Sequence, residues 1–283
     1  MNPTQAAIRT GFSRGWIEFK QVLVSSQDMW NLLFFPVGTL VAMYFMRNAS
    51  VPGVHFSLGA QTMPGVLGMQ VMLGGMIGVA AALMVEREDG TLLRAKATPN
   101  GMLGYLVGKI VSASGGTLIG ILLVLVPGLV MLDGLVLDGL GGAMTMVWVL
   151  VLGLAATMPL GAVFGSLGDN PRNLGLLMLP TTGLVAISGI FYPITAMPQW
   201  LQMVAQAFPM YWLGLGMRSA LLPPALVSAE IGDSWRHWET AGVLGLWAVA
   251  GLLVAPSILR RMARGESGSR VAARRERAMQ RVQ

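Results

Sequence analysis

The side chains that most often carry out catalysis are few in this chain of 283 residues. Its two histidines, His55 and His237, lie in no HExxH pattern, so the helical pair of ligands that holds zinc in many peptidases is missing. Cysteine is absent, which excludes a thiolate nucleophile and a thiolate metal site. Ser188 precedes a glycine, but no histidine lies in an apolar segment where it could act as the base. We therefore expect a protein that is not an enzyme and holds no metal.

One string of residues comes close to a nucleotide-binding loop. A P-loop requires the pattern GxxxxGK[ST], in which the backbone cradles phosphates and the last hydroxyl binds Mg²⁺. The string from Gly104 to Lys109 is one residue shorter than this pattern, and Ile110 stands in place of the hydroxyl. We interpret Gly104 and Gly108 instead as a GxxxG pair that lets two helices approach closely. No cofactor is expected in this chain, and if ATP drives the protein, another chain must bind it.

The composition indicates which elements must carry these residues. Only 11% of the residues are charged, against roughly 25% in soluble domains. The hydrophobic fraction is 54% and the mean hydropathy is +0.64. These values exclude a disordered chain and disfavour a soluble enzyme. We predict an all-α polytopic membrane protein with six transmembrane helices, because charges divide the chain into six apolar segments of about the length that crosses a bilayer. The segments are about 29–46, 63–85, 106–132, 143–167, 174–192 and 240–259.

The two ends of the sequence differ from this membrane domain of residues 29–259. Residues 1–28 combine charges with apolar residues at near-helical spacing (Ile8, Phe12, Trp16, Phe19), which predicts an amphipathic helix on the membrane surface. Residues 260–283 form a basic tail. Six spans place both termini on one side, together with 16 of the 19 Lys and Arg residues, and the positive-inside rule makes that side the cytoplasm. Because the basic residues follow this topology, nucleic acid is not an expected partner.

Ionisable side chains are nearly absent from the middle of the predicted spans. Asp28, Lys109, Asp169 and Arg218 all lie near the ends of spans. A carrier coupled to protons or sodium ions normally uses buried carboxylates within its membrane helices. The sequence therefore disfavours an ion-coupled carrier.

A charged segment joins the second span to the third on the predicted cytoplasmic side. Residues 86–101 begin with Glu-Arg-Glu-Asp, continue after Gly90 with a helix-compatible core, and end at Thr98-Pro99. This pattern predicts a short helix that lies across the membrane surface. The alternative is an ordinary polar loop that obeys the topology rules.

A second segment, residues 188–218, is apolar but is broken by prolines at 193, 198 and 209. Its pieces are too short to span a bilayer, and irregular backbone at membrane depth must be buried in protein or line a cavity. We predict a re-entrant hairpin near the outer surface, with Tyr192, Trp200, Tyr211 and Trp212 at the membrane interface. The alternative is an interfacial loop without a role in transport.

Taken together, these two segments resemble the permeases of the ABC-2 family of ATP-binding-cassette exporters. In that family a Glu-x-Glu-x-Gly-Thr element follows the second span and leads to a Thr-Pro, and a Gly-Lys opens the third span. The residues that match this element are Glu86, Glu88, Gly90, Thr91, Thr98, Pro99, Gly108 and Lys109. The later element has the form Ser-Gly-x-x-x-Pro, then Met-Pro-x-Trp-Leu, then a proline and an arginine. Its counterparts here are Ser188, Gly189, Pro193, Met197, Pro198, Trp200, Leu201, Pro209 and Arg218.

The resemblance implies a six-helix permease that works as a homodimer or with a paired homologue. Each copy would dock a separate ATP-binding-cassette subunit, which would hold the ATP and Mg²⁺. The docking surface would be the amphipathic helix together with the charged segment, whose candidate coupling residues are Glu86, Arg87, Glu88, Gly90, Thr91, Arg94 and Lys96. One departure from the family pattern is Leu92-Leu93, because an acidic residue is usual shortly after the Gly-Thr. A contact with the ATPase would differ there.

The sequence also gives an indication of the class of molecule that is transported. The resemblance is closest to daunorubicin-type permeases, and the aliphatic, Met- and Gly-rich spans favour hydrophobic or amphipathic small molecules, as in drug or antibiotic efflux. The alternatives are a permease for lipids or lipid-linked glycans, and a membrane-anchored assembly factor that transports nothing. Arginine outnumbers lysine 16 to 3, which suggests a GC-rich bacterial genome and hence a bacterial cell membrane. Candidate path residues are Asn31, Tyr44 and Phe45 on the first span and Met69, Met72 and Met76, expected on one helical face of the second, with plain packing as the alternative role.

Overall fold

A computed structural model describes residues 2–49, 57–98, 100–137, 139–167, 174–191 and 194–265, and no β-strand occurs within these ranges. A π-helical stretch, Leu73–Gly78, joins the third helix to the fourth, and short 3₁₀ turns occupy Ile194–Ala196, Pro224–Ala229 and Ile231–Asp233. The α-helices are α1 (Pro3–Val24), α2 (Ser26–Met46), α3 (Leu58–Met72), α4 (Val79–Glu88), α5 (Thr91–Lys96), α6 (Gly101–Met131), α7 (Gly139–Leu167), α8 (Leu174–Ile187), α9 (Gln199–Ala207), α10 (Pro209–Leu221) and α11 (His237–Gly265).

Five helical stretches are long and apolar enough to cross a membrane. They are Ser26–Met46, Leu58–Glu88, Gly101–Met131, Gly139–Leu167 and His237–Met262. The prediction of an all-α polytopic membrane protein is confirmed. The segment predicted as the fifth of six spans, 174–192, holds α8, whose 14 residues extend about 21 Å. That length is less than the ~30 Å of hydrocarbon that a span must cross.

Where the sequence predicts an amphipathic N-terminal helix, the structure has the helix α1. The Asn2 side chain accepts a hydrogen bond from the backbone N–H of Thr4, and Pro3 occupies the first turn, where its missing N–H has no cost. α1 ends at Ser25, whose backbone is extended and whose hydroxyl accepts from the N–H of Asp28 to start α2. The turn between the surface helix and the first span therefore lies at Ser25, three residues before the predicted boundary.

The core of the bundle is built around a helix that does not span. α10 has 13 residues, nearly all of them buried, and it packs against α3, α7 and α11. Close approach to α3 depends on glycine, since a Cβ on Gly68 would lie 3.0 Å from the Gly214 backbone nitrogen. The prediction that Tyr211 and Trp212 lie at the membrane interface is wrong. Because α10 lies inside the bundle, both rings fill the core, with 0% and 2% exposure.

The last helix extends past the predicted end of the sixth span. α11 continues to Gly265 and carries Arg260, Arg261 and Arg264 on its final two turns, all three exposed. The rest of the predicted basic tail, residues 266–283, lies outside the described residues.

Candidate functional site

The charged segment between α4 and α6 folds into a tight elbow. Gly90 reverses the chain with φ of 77°, a conformation that glycine adopts without strain. The Asp89 carboxylate accepts a 2.7 Å hydrogen bond from the Thr91 N–H, and α5 follows at once. The short helix expected after Gly90 is therefore present. Pro99 lies outside the described residues.

A network of four charged side chains joins α1, α4 and α6 beside this elbow. Lys109 Nζ on α6 lies 2.5 Å from Glu86 Oε1 on α4 and 3.0 Å from Glu18 Oε2 on α1. Arg14 Nε lies 2.9 Å from Glu18 Oε1. Two carboxylates and two cations balance, so the network brings no net charge into the bundle. We call these residues the basal network.

Glu18 is the member of the basal network on the surface helix. Partial burial raises the pKa of its carboxyl, but the Lys109 ammonium and the Arg14 guanidinium together outweigh burial. The net result is a pKa below its ordinary value of 4.5. The carboxylate is therefore charged at neutral pH and can hold both cations.

Glycines bring α1 and α6 close enough for these contacts. A Cβ on Gly104 would lie 2.9 Å from the carbonyl oxygen of Ala7, and one on Gly108 would lie 3.1 Å from that of Gly11. The GxxxG pair interpreted from the sequence as a helix contact does pack against a helix, and that helix is α1.

The seven candidate coupling residues divide into inward and outward groups. Glu86 is held by Lys109, and Arg87 is buried and donates to the Ser166 carbonyl oxygen on α7 at 3.3 Å. Both side chains are thus engaged inside the bundle, and the prediction that they offer charge to a partner surface stays a prediction. Gly90 and Thr91 are also buried, and Glu88 is half-buried. Of the seven, Arg94 and Lys96 are the charged residues that are exposed, and Asp89 adds an exposed acidic side chain to the elbow.

Hydrogen bonds hold the proline-broken segment, residues 188–218, at the end of the bundle opposite the elbow. The Ser188 hydroxyl donates to the Val185 carbonyl oxygen at 2.8 Å and caps the end of α8. Gly189 has φ of 62°, and its carbonyl oxygen accepts from Arg218 Nη1 at 3.2 Å. Tyr192 and Pro193 lie outside the described residues. The two residues of the Ser-Gly pair thus end α8 and bind the arginine of the same signature.

Arg218 was expected near the outer surface, but it is buried and forms a two-pronged ion pair. Its Nε and Nη2 lie 2.6 and 3.3 Å from the two carboxylate oxygens of Glu230. Both side chains are less than one-tenth exposed. Sequence reasoning left Glu230 in a polar loop. The sequence signal that could have indicated this pair is an acidic residue, Glu230, twelve positions after the signature arginine Arg218.

The remaining signature residues shape the junction of α9 and α10. Pro198 precedes α9, and Pro209 is the first residue of α10, so the prolines lie where a missing N–H is tolerated. Trp200 is 61% exposed, in keeping with an interfacial ring. Arg236 lies 4.7 Å from the Trp212 ring centroid and donates to Gln206 Oε1 at 2.8 Å. The junction is therefore held by both polar and cation–π contacts.

An apolar cavity of about 790 Å³ lies between α2 and α3. Met69 lines it, whereas Asn31, Tyr44 and Phe45 are exposed elsewhere on α2. Thr39 and Thr62 supply the hydroxyls. The other lining residues are Trp30, Leu33, Phe34, Phe35, Val37, Gly38, Ala42, Met43, Met46, Val66 and Phe191.

The three methionines of the second span do not share one face. Met72 and Met76 are buried and line a separate space of about 130 Å³ beside α7 and α8. Met69 and Met72 both lie in the regular helix α3, where three residues turn the chain by roughly 300°, so the two side chains point about 60° apart and line different spaces. Met72 and Met76 line the same space although they lie on either side of the start of the π-helical stretch Leu73–Gly78.

Metal ligands are not clustered in the part of the chain described above. Among those residues, no group of three or more His, Asp or Glu side chains could hold an ion.

Comparison with known proteins gives one result that covers most of the chain. A family model described as ABC-2 family transporter protein matches residues 49–255. No individually curated protein matches the sequence. The matched region includes both the elbow of α4 and α5 and the Arg218 signature. It contains three of the five membrane-spanning stretches completely and most of His237–Met262. The chain therefore belongs to the ABC-2 transporter family, as the membrane permease of an ABC transporter.

Proposed function

We propose that this permease exports hydrophobic and amphipathic small molecules from a bacterial cell, as in drug or antibiotic efflux. A separate ATP-binding subunit would supply the energy. The observation that carries this proposal is the apolar cavity between α2 and α3. Its volume of about 790 Å³ falls in the ~300–1,000 Å³ range of small-molecule sites.

The chemistry of the cavity lining favours apolar cargo over glycans. Trp30, Phe34 and Phe35 present aromatic surface, and Met69 adds an adaptable thioether. None of the described residues that line the space is charged. A sugar would lose its hydrogen bonds to water there and would find two threonine hydroxyls in return. Unpaired polar groups are penalised in apolar surroundings, so an oligosaccharide path is disfavoured.

We further propose that a second permease copy faces this cavity across α2. Only 11% of the central residues of α2 are buried, whereas 61% are buried in the stretch Leu58–Glu88. The exposed side of α2 includes Trp30 and Phe34, which also line the cavity. A partner copy on this side would convert an open groove into an enclosed path.

The ATPase would dock at the elbow and the outward side of α1. Arg94 and Lys96 on α5 and Arg9 on α1 are exposed and carry positive charge. The positive-inside rule favours a cytoplasmic location for this end of the bundle, where ATP is available.

A pair of valines on different helices tests the cargo path. Val37 on α2 is 51% exposed and lines the cavity, whereas Val249 on α11 is 58% exposed and does not. The permease and its ATPase are reconstituted in liposomes, and ATP-dependent transport of a lipophilic fluorescent dye is measured. We expect Val37→Trp to raise the dye concentration for half-maximal transport by about tenfold, because the ring fills space that the dye needs. Val249→Trp should transport as the parent does.

Three results would count against this function. Equal effects of the two substitutions would remove the cavity from the path. ATP-dependent movement of a fluorescent phospholipid without movement of the dye would favour lipid export. Failure of any ATPase to bind the permease would favour an anchored assembly factor.

A further inference from the structure

A second apolar space lies on another side of the bundle. α6 packs on α1, α2 and α3, whereas the next helix, α7, packs on α4, α10 and α11. The two consecutive helices therefore separate, and a cleft of about 460 Å³ remains between α6, α7 and α11. It is distinct from the cavity between α2 and α3, because the two share no lining residue.

The cleft is lined by apolar side chains in rows along its length. Among the described residues two polar side chains line it, Ser114 and Lys109. The Ser114 hydroxyl already donates to the Met158 sulfur 3.9 Å away. On each long helix the lining positions recur every three or four residues, which defines one continuous face. The apolar lining residues are Leu106, Ile110 and Leu118 on α6, Leu150, Val151, Leu154, Ala155, Met158, Pro159 and Ala162 on α7, Leu252, Ala255 and Pro256 on α11, and Val79 on α4.

Positive charge collects at one end of this cleft. Lys109 lines that end, but the basal network already neutralises its charge with Glu86 and Glu18. Arg260 follows the lining residue Pro256 by one turn of α11 and is exposed. Within the described residues Arg260 forms no ion pair. Because Arg260 follows Pro256 by one helical turn, it lies on the same side of α11 just beyond this end of the cleft, and Arg264 follows one turn further.

We propose that this cleft binds one anionic phospholipid, with an acyl chain between α6, α7 and α11 and the phosphate at Arg260. Basic residues at the cytoplasmic ends of membrane helices bind anionic headgroups, and the guanidinium fork matches phosphate oxygens. This lipid is a bound component of the permease and not its cargo, and the site does not depend on the proposed transport function.

The shape and the charge of the site favour a lipid over a second copy of the chain. Helices that meet within a membrane usually do so through small residues that let backbones touch. Here α6 and α7 face each other with leucine, isoleucine, valine and methionine across an open space, which hydrocarbon fills well. A basic residue at the end of the apolar cleft also favours an occupant that is apolar along its length and anionic at one end.

Lipid retention by the full chain tests the proposal. The protein is purified in detergent, incubated with phosphatidylglycerol or with phosphatidylcholine of the same acyl chains, and analysed by native mass spectrometry. We expect one phosphatidylglycerol to be retained per chain in preference to phosphatidylcholine. Arg260→Gln should lower that preference by about fivefold, and Arg261→Gln, which faces a different side of α11, should leave it unchanged. Inorganic phosphate should not compete, because it lacks the acyl chain.

A second pair of variants tests the cleft itself. Ala155→Phe places a ring inside the cleft and should abolish retention of phosphatidylglycerol. Val126→Phe, on an exposed position of α6 outside the cleft, should retain the lipid. Thermal unfolding confirms that both variants fold. Equal retention of the two lipids, retention by Ala155→Phe, displacement by phosphate, or a dimer that Ala155→Phe alone dissociates would each overturn the proposal.

Discussion

At the scale of single residues, one ammonium serves two carboxylates in the basal network. Lys109 pairs with Glu86 and Glu18, and all three side chains are less than one-quarter exposed. An ion pair in such a place adds little net stability over apolar packing, but removing one partner leaves a charge that is buried and unpaired. The arrangement therefore fixes how α1, α4 and α6 meet more than it strengthens the fold.

Replacing the shared cation should destabilise the permease. Lys109→Met leaves the Glu86 carboxylate buried without its cation, and we expect a loss of about 3–5 kcal/mol in unfolding free energy. Lys20→Met, at an exposed position of the same charge, should change stability by less than about 0.5 kcal/mol. Chemical unfolding of the purified proteins measures both, and equal losses would show that the network is not the cause.

The surface member of the network predicts a pH dependence. The pKa of Glu18 is lower in the folded protein than its ordinary value of 4.5, so folding favours the charged form. Its contribution to stability is present above pH 4.5 and is lost as the pH falls through the folded pKa. The stability difference between the parent and Glu18→Gln should therefore shrink on acidification through this range. A difference that stays constant with pH would contradict the assignment.

The ion pair at the other end permits a double-mutant cycle. Arg218→Met or Glu230→Met alone leaves one buried charge, and each should cost about 3–5 kcal/mol. The double variant should be more stable than either single variant, because no charge is then left unpaired. Additive losses would mean that the two side chains act independently, contrary to their 2.6 Å contact.

At the scale of elements, the contact between α1 and α6 depends on the absence of side chains. A Cβ on Gly11 of α1 would overlap the backbone of Gly104 on α6. A Cβ on Gly116, which like Gly104 is on α6, would meet nothing within 4 Å. Gly11→Ala should therefore lower the unfolding free energy by about 1–3 kcal/mol, and Gly116→Ala should not. Hydrogen exchange should show α1 less protected in Gly11→Ala only, and equal protection in both variants would contradict the packing.

The sequence predicted where the helices lie better than it predicted their register and their burial. Charged residues end the apolar segments, so the positions of five spans follow from hydropathy. The π-helical stretch could not be predicted, because hydrophobic periodicity assumes a constant turn and Gly74, Gly75 and Gly78 carry no pattern. The burial of α10 was missed for a related reason. Aromatic residues between prolines are typical of an interface, and only contacts with α3 and α7 show that these rings fill a core.

The same limit applies to the candidate site. Motif spacing found Ser188, Gly189 and Arg218, which the fold brings together. It did not find Glu230, because a pairing of two charges across a loop depends on how the loop closes. Composition likewise marked the elbow as charged but could not separate Glu86 and Arg87, which point inward, from Arg94 and Lys96, which are exposed.

At the scale of the whole molecule, charge lies at the two ends and the middle is apolar. The basal network and the elbow occupy one end, and the Arg218–Glu230 pair occupies the other. If the proposed docking of an ATPase is correct, reversing exposed charge at the elbow should weaken it. We expect Lys96→Glu to lower the amount of ATPase that co-purifies by about tenfold, and Arg47→Glu, at the far end of α2, to leave it unchanged. Equal recovery with both variants would move the docking surface elsewhere.

The burial of α10 also determines the order in which the molecule can be assembled. A helix of 13 residues cannot cross a bilayer, so it has no stable place in the lipid before its neighbours are present. Two of those neighbours, α3 and α7, precede it in the chain, but α11 follows it. While the chain is being synthesised, α10 can therefore pack only against α3 and α7, and its side that contacts α11 stays uncovered until α11 has been made. Arrest of synthesis between the two helices should leave an intermediate that membrane quality-control proteases recognise.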